Sequence, residues 1–397
     1  MDGQGPQPGN RRQAGTSAVI AFCACLALSG CVSTNLPSLE QAGFKLQKDE
    51  QRLLNRSREA TGALERSGLL VADPALEAYL NKIYRKLLPT DVHADYLQPR
   101  IRVIRQPETN AFALPNGQLY ISTAMLTVMD NEAQLAAVIG HEMTHVLERH
   151  ALKVKRSTAN KAALFHSVSL IGPLASVAAV SSISGYSRSV EKEADLGGFK
   201  AMRAHGYDLR QAALVYDNLL QFNRDEKIHE AFFFSTHPAL ATRAANAQRY
   251  LKENPEQTGG VIGDKIFKEK TKQVVRDTIA LWLHNGMFLS ASRYAKRYIR
   301  DFPGDGYGYY LKGEVLRQRQ EKNPVAASAH TDEEVLKAYT TALKKTPGLA
   351  AAYRGQGMIL QKMGRLAAAK KAYQNYLKLK PGAKDYAFIA AAVKELP

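Results

Sequence analysis

A helix that carries His141, Glu142 and His145 has the residue types and spacing to bind a metal ion and hydrolyse a peptide bond. Residues four apart on a helix project from the same face, so the imidazoles of His141 and His145 can reach one ion. The Glu142 carboxylate lies beside them and can take a proton from an activated water, then pass it to the leaving amine. The rest of this helical face is apolar, where unliganded histidines would be costly. The sequence therefore predicts a catalytic zinc site with one Zn²⁺ per chain.

A catalytic zinc ion needs a third protein ligand, and its type separates the classes of zinc peptidase. Metzincins place a glycine and a third histidine after the helix, but those positions hold Glu148 and Ala151, which excludes that class. The segment Ser187–Asp195 offers a glutamate instead, because Glu191 and Asp195 share one helical face. Glu191 can then bind the metal while Asp195 hydrogen-bonds a ligand histidine. Alone, this segment would be read as a solvated helix start, but the histidine pair favours the ligand interpretation.

The elements that must position these residues form an α+β fold that is mainly α, with a small sheet inside a zincin-type metallopeptidase domain. Helical periodicity identifies the predicted helices, and strand-like patterns identify the predicted strands. Asn116-Gly117 is a strong turn signal. Asp130 or Asn131 is the expected cap of the metal-binding helix. The predicted elements are helices over 39–65 and 74–88, strands over 101–104 and 119–122, and a long helix from Asn131 to about Lys155.

No charged residue occurs between Lys161 and Arg188, and Leu164–Val180 is largely apolar. One interpretation is a hairpin that dips into a membrane. Serines and the Gly172-Pro173 pair favour the other, a packed helical hairpin beside the active site.

The last third of the chain repeats with the period of a tetratricopeptide array. Tyr339 and Pro347 lie 34 residues before Tyr373 and Pro381, and an unrelated helical bundle would not keep this register. We therefore predict tetratricopeptide-like helical repeats over residues 262–397, whose concave groove would hold peptides or helices. The remaining signature positions are Tyr309, Gly313, Leu316, Tyr353, Gly357, Leu360 and Ala369, with a weaker copy at Gly286, Ala291, Ala295 and Pro303.

The N-terminal segment resembles an export signal. A basic start at Arg11 precedes a short apolar run, and Leu28-Ser29-Gly30-Cys31 resembles a bacterial lipobox. A plain secretory signal is the alternative. The lipobox predicts a signal peptide over residues 1–30, lipidation of Cys31 and a peptidase domain over 31–255. Because Val32 follows the cysteine, we expect an anchor on the inner face of the outer membrane, in the periplasm.

A formal net charge of +17 favours anionic membrane surfaces or acidic partners. Nucleic acid is not expected as a partner, since the basic residues are spread along the chain and the export signal directs it elsewhere.

The metal-binding helix, the Glu191 and Asp195 helix and the loop 110–117 together resemble metallopeptidase family M48, and the repeats resemble its periplasmic lipoprotein members. The resemblance implies that the strand from Asn110 is a sheet edge on which substrate lies as an added strand. It also implies that His237 faces the metal, either as a removable fourth ligand or as a stabiliser of the oxyanion. Arg243 would lie behind the ligands. The implied edge residues are Asn110, Ala111, Phe112 and Ala113.

Two functions fit these features. The first is a zinc-dependent endopeptidase of the bacterial envelope that degrades misfolded or misassembled outer-membrane and periplasmic proteins, with the repeats recruiting the client. The second is a chaperone-like assembly factor whose repeats bind clients or outer-membrane assembly machinery while the zinc site stays largely dormant. The intact Glu142 favours the first, because a pure scaffold does not need a general base.

Overall fold

The computed structural model describes residues 36, 45–90, 97–158, 186–228, 240–322 and 331–397. The predictions for Cys31 and the signal peptide, for Leu164–Val180 and for His237 fall outside the described residues. The elements described below all belong to one compact unit, residues 37–397.

The chain is mainly helical with one small sheet, as the sequence predicts. Local signals set the element boundaries: the Asp73 side chain accepts a hydrogen bond from the Leu76 amide, and Pro74 occupies the first turn of its helix. The first elements are helix α1 (Lys48–Glu65), helix α2 (Pro74–Leu87), strands β1 (Arg100–Ile104), β2 (Ala111–Ala113) and β3 (Gln118–Ser122), and helix α3 (Thr123–Val128).

The sheet has the strand order β1-β3-β2. Strand β1 runs parallel to β3 with Ile101 opposite Leu119, and β2 runs antiparallel to β3 with Phe112 opposite Tyr120. Gly117 adopts a left-handed conformation in the turn between β2 and β3, in agreement with the Asn-Gly signal. Strand β2 is therefore a short edge strand, as the family resemblance implies.

The predicted long helix is in fact two helices, α4 (Glu132–Leu147) and α5 (His150–Thr158). Asn131 caps α4, since its side chain accepts a hydrogen bond from the Gln134 amide. Arg149 ends the helical run because its φ of 51° is left-handed, which a continuing helix does not allow. The prediction of one helix to about Lys155 was wrong for this reason.

Within residues 186–228 and 240–257 the structure describes the helices α6 (Arg188–Ala204), α7 (Arg210–Glu226) and α8 (Leu240–Glu253), then a short 3₁₀ turn at Pro255–Gln257. The glycine-containing segment 258–263 that follows this turn is held against the peptidase part of the chain. The Asp208 amide donates to the Val261 carbonyl, and Tyr207 forms a parallel bridge with Val261.

The remaining described helices each pack against the next one along the chain. Glycines at the repeat positions let tyrosine rings approach: a Cβ at Gly313 would lie 2.7 Å from the Tyr339 ring, and one at Gly357 would lie 2.5 Å from the Tyr373 ring. The regular spacing of these glycines and tyrosines along the sequence therefore corresponds to contacts between helices. These helices are α9 (Asp264–His284), α10 (Phe288–Asp301), α11 (Gly306–Lys322), α12 (Asp332–Lys345), α13 (Ala350–Lys362), α14 (Leu366–Leu379) and α15 (Tyr386–Glu395).

The hydrophobic core is continuous from α2 to α11 and crosses the predicted boundary between peptidase domain and repeats. Trp282 of α9 is fully buried, packs on Phe222 of α7, and donates its indole N–H to the Pro107 carbonyl at 2.7 Å. Helix α9, the first helix of the repeats, therefore packs directly against the peptidase part of the chain. Among the described helices, none is both long and apolar enough to cross a membrane.

Candidate metal centre

Helices α4 and α6 pack unusually closely at glycines on both helices. A Cβ at Gly140 would lie 3.0 Å from the Gly198 Cα, and one at Gly197 would overlap the Thr144 side chain. Since Gly140 and Gly198 carry no Cβ where they meet, the two backbones can approach. This contact brings Glu191 of α6 over the histidines of α4.

Three buried side chains converge where the two helices meet: His141, His145 and Glu191. The Nε2 atoms of the two histidines lie 3.0 Å apart. The Glu191 carboxylate lies 3.6 Å from each of them, Oε2 from His141 and Oε1 from His145.

This donor set fits a zinc ion. Four ligands at about 2.0–2.1 Å from tetrahedral zinc are separated from one another by roughly 3.3 Å. The observed separations of 3.0 and 3.6 Å lie on either side of that value. Two imidazole nitrogens with one carboxylate also suit zinc chemically and leave a fourth position for water or substrate.

Behind His141, a buried polar cluster fixes the ring. The His141 Nδ1 lies 2.9 Å from Asp195 Oδ1, so a metal on Nε2 leaves an Nδ1–H that donates to this carboxylate. Tyr216 donates its hydroxyl to the same Oδ1 at 2.6 Å. Arg243 donates to Asp195 at 2.6 Å and lies 3.2 Å from Glu191 Oε2. Arg243 therefore bridges the third candidate ligand and the residue that orients the first.

The cluster keeps Asp195 ionised in a buried place. Burial raises the pKa of its carboxyl, but the Arg243 charge and the His141 hydrogen bond together lower it well below its ordinary value. A charged Asp195 is the form that accepts hydrogen bonds from both His141 and Tyr216.

Behind His145 the supporting group is another histidine. His150 Nδ1 lies 2.8 Å from His145 Nδ1, and His150 Nε2 lies 3.3 Å from Glu193 Oε2. Burial lowers the pKa of His150 to about 4, so its ring is neutral near pH 7. With a metal on His145 Nε2, the His145 Nδ1–H donates to His150, whose Nε2–H in turn donates to Glu193. The Tyr186 ring stacks on His145 with centroids 4.1 Å apart.

The left-handed turn at Arg149 delivers His150 to this place. Helix α4 ends at Leu147 and α5 begins at His150, so the turn between them places His150 in contact with His145. The Arg149 side chain lies 3.4 Å from Glu50 of α1. Backbone strain at a non-glycine residue is thus located where it positions a group beside the metal centre.

Glu142 and the edge strand complete the site. Glu142 is buried on α4 beside the ligand cluster. Ala113 of β2 and His145 line one small cavity together with Tyr186. The Leu114 amide donates to the Gln118 carbonyl, so the alternation of the ladder turns the peptide groups of Ala111 and Ala113 away from β3. These groups form the open edge of the sheet.

The structure brings His141, His145, Glu191, Asp195 and Arg243 together as the sequence suggested. His237 lies outside the described residues, so its role stays a prediction. Sequence reasoning missed Tyr216, His150 and the glycine contact between α4 and α6. The available signals were Gly140 immediately before the first histidine, Gly197-Gly198 inside a helical pattern, and His150 five residues after His145.

Residues 74–251, which include every described residue of this centre, match peptidase family M48. The chain carries an M48 peptidase domain. Metal dependence is a property of that family, and the M48 domain here presents a histidine, histidine and glutamate cluster suited to hold the ion.

Curated relatives match part of this chain. The chain is 27% identical over 202 residues to the beta-barrel assembly-enhancing protease of Escherichia coli, covering 47% of this chain and 41% of the relative. It is 29% identical over 189 residues to the mitochondrial metalloendopeptidase OMA1 of Schizosaccharomyces pombe, covering 44% of this chain and 53% of the relative. The chain thus spans about half or less of the length of these relatives.

A solved structure, that of YrrB, a TPR protein with an unusual peptide-binding site, matches 47% of this chain and 84% of its own at 15% identity. The TM-score is 0.24, too low for the superposition to inform the arrangement of the helices here.

Proposed function

We propose that this protein is a zinc-dependent endopeptidase of the bacterial envelope that degrades misfolded or misassembled outer-membrane and periplasmic proteins. The observation that carries the proposal is the buried triangle of His141, His145 and Glu191, whose donor spacing suits one zinc ion. The M48 domain supports peptide hydrolysis as the chemistry.

His141, His145 and Glu191 hold the zinc in this proposal, and Asp195 and Arg243 orient them. Zinc, when bound, polarises the scissile carbonyl and acidifies the attacking water. Glu142 takes the proton from that water on its carboxylate and delivers it to the nitrogen of the leaving amine. His237 acts either as a removable fourth ligand or as a stabiliser of the oxyanion.

The substrate lies along β2 as an added strand. Outward-facing peptide groups of Ala111 and Ala113 are positioned to pair with it, and Ala113 shares a cavity with His145. Main-chain pairing of this kind accepts many sequences, which suits a peptidase that acts on misfolded clients.

The envelope location rests on the lipobox at Leu28–Cys31 and on the bacterial relative. Lipidation of Cys31 anchors the protein to the inner face of the outer membrane. Replacing Cys31 by serine should abolish incorporation of labelled palmitate and release the protein from the membrane fraction. Unchanged labelling would contradict the proposal that the protein is a lipoprotein, but it would not bear on the proposal that it is a peptidase.

A second candidate function is a chaperone-like assembly factor, favoured by the words "assembly-enhancing" in the name of the Escherichia coli relative. The Glu142→Gln variant separates the two: it should retain one zinc per chain, measured by metal analysis, and lose proteolysis of casein. Glu148→Gln, at the exposed end of the same helix, is the matched control and should retain both. If Glu142→Gln fully restores envelope integrity in a deletion strain, the assembly role is the main one.

A further inference from the structure

The repeat helices form a groove that the peptidase site does not use. A cavity of about 460 Å³ lies between α10, α11 and α12. A second, of about 650 Å³, lies between α7, α10 and α11. Ser292, Lys296 and Arg319 line both cavities, so the two are adjacent, and we call them together the basic groove.

Positive charge dominates this groove. In the second cavity, Arg293 and Arg297 pair with the lining carboxylates Asp225 and Asp130. Four other lining cations form no ion pair within the part of the chain that the structure describes. They are Lys296, Lys312, Arg319 and Lys337. The first cavity also has a lining carboxylate, Glu334, which accepts a hydrogen bond from the Thr331 amide. The four cations outnumber it, so the groove carries an excess of positive charge in a concave site, where such charge attracts anions most strongly.

The unpaired cations are spread along the groove. Lys296 lies on α10, Lys312 and Arg319 lie on α11, and Lys337 lies on α12. Lys312 and Arg319 are two turns apart, which is roughly 10 Å along a helix. A peptide in the extended polyproline II conformation rises roughly 3.1 Å per residue with three residues per turn, so carboxylates three residues apart project from one face about 9 Å apart, close to that separation.

The surface between the cations is apolar and suits side chains of a bound peptide. Tyr309, Val315 and Leu316 of α11 and Ala338 of α12 line the first cavity. A groove with dispersed charge and an apolar floor fits a peptide in which apolar residues separate the acidic ones.

We propose that the basic groove binds an extended peptide segment rich in aspartate and glutamate. This inference goes beyond the proposed peptidase activity and does not depend on it, because none of the groove residues belongs to the metal centre. Binding here would hold an acidic segment of a partner or client on the repeats while another segment reaches β2.

The test is fluorescence anisotropy with the full Glu142→Gln chain, so that a bound peptide is not cleaved. The probe is a short fluorescein-labelled peptide with glutamate at every third position, compared with the same peptide carrying glutamine. We expect the glutamate peptide to bind and the glutamine peptide to bind much more weakly. Affinity for the glutamate peptide should fall as salt is added, because partly exposed ion pairs are screened.

The decisive variant is Lys312→Glu with Lys337→Glu, which should weaken binding of the glutamate peptide by roughly tenfold. The matched control, Lys371→Glu with Lys378→Glu, makes the same charge change at exposed lysines of α14 outside the groove and should bind like the parent. Circular dichroism checks that both variants fold. If the first does not, Lys312→Gln with Lys337→Gln is used in its place.

Three results would overturn the proposal. Equal binding of the two peptides would show that acidity is not recognised. An equal loss in the α14 control would assign the effect to net charge. Binding to phosphatidylglycerol vesicles that depends on Lys312 and Lys337, without binding of the acidic peptide, would make the groove a lipid site. None of these results would alter the casein assay that tests the peptidase.

Discussion

Gly198 of α6 lies directly on the backbone of His141 in α4. A Cβ at position 198 would be 3.1 Å from the His141 nitrogen, and 3.3 Å from the Ala137 carbonyl oxygen. Gly197 lies against the side chain of Thr144. The separation of the two helices, and with it the reach from Glu191 to the histidines, is therefore set by residues that do not themselves contact a metal.

Substituting Gly197 by alanine should weaken zinc binding by roughly tenfold, the range seen when support of a metal ligand is lost. The new methyl group overlaps Thr144, so α6 must move outward and carry Glu191 with it. Helix propensity alone would make this substitution stabilising by about 1 kcal/mol, so a loss of stability would identify the packing as its cause.

Competition with a chelator measures the zinc affinity, and thermal unfolding measures the stability. Gly348→Ala is the matched control, because a Cβ there meets nothing within 4 Å. Adding Thr144→Ala to Gly197→Ala should recover part of the affinity. Wild-type zinc affinity in Gly197→Ala alone would mean that the close approach of the helices is dispensable.

Replacing His150 by alanine should raise the zinc dissociation constant by roughly tenfold to a hundredfold. The change removes the acceptor for the His145 Nδ1–H and leaves that donor buried. His150→Asn, which can still accept through its amide oxygen, should lose less. His284→Ala, at the exposed end of α9, should bind zinc normally.

A proton NMR spectrum gives a second readout, since the hydrogen-bonded His145 Nδ1–H signal should shift or broaden in His150→Ala. If zinc affinity and this signal are both unchanged, His150 serves packing only.

Substituting Ala113 by proline should lower kcat/KM for peptide hydrolysis by roughly threefold to tenfold, the worth of one hydrogen bond to substrate. Its N–H points to the open edge of β2, so the ladder with β3 is kept. Ala113→Gly retains the N–H and should retain most activity. Phe112→Pro removes a ladder donor instead and should lower stability. Full activity in Ala113→Pro would argue against pairing of substrate at this residue.

Much of this site could be predicted because helical spacing specifies which side chains share a face. To predict that His141 and His145 face the same way, it is enough that their segment is helical. The same holds for Glu191 and Asp195 in a second helix. The pairing of the two helices followed from the demand for a third ligand, not from local sequence. What brings them together, the glycines on both helices, could be recognised only as exceptions to helix propensity.

Other features depended on tertiary contacts that no local pattern records. The break between α4 and α5 comes from a left-handed arginine, a conformation that sequence seldom predicts for this residue. Tyr216 and His150 lie in ordinary amphipathic surroundings, and only the fold turns them toward the metal centre. The repeats were predictable because their glycine and tyrosine positions contact one another at a fixed period.

Asp305 should contribute on the order of 2 kcal/mol to stability at pH 7, and this contribution should disappear in acid. Burial raises the pKa of its carboxyl, but hydrogen bonds from Tyr298, from the Tyr307 amide and from nearby cations together lower it to about 2. Because the folded pKa lies below the unfolded one, the stabilisation is complete above roughly pH 4 and is lost as the pH falls toward 2.

Chemical unfolding of the parent and of Asp305→Asn at several pH values measures this contribution as a difference. The free energies of unfolding should differ at pH 7 and converge near pH 2. Asp217→Asn, at an exposed position of α7, should match the parent throughout. A difference between parent and Asp305→Asn that is constant with pH would assign the effect to packing and not to charge.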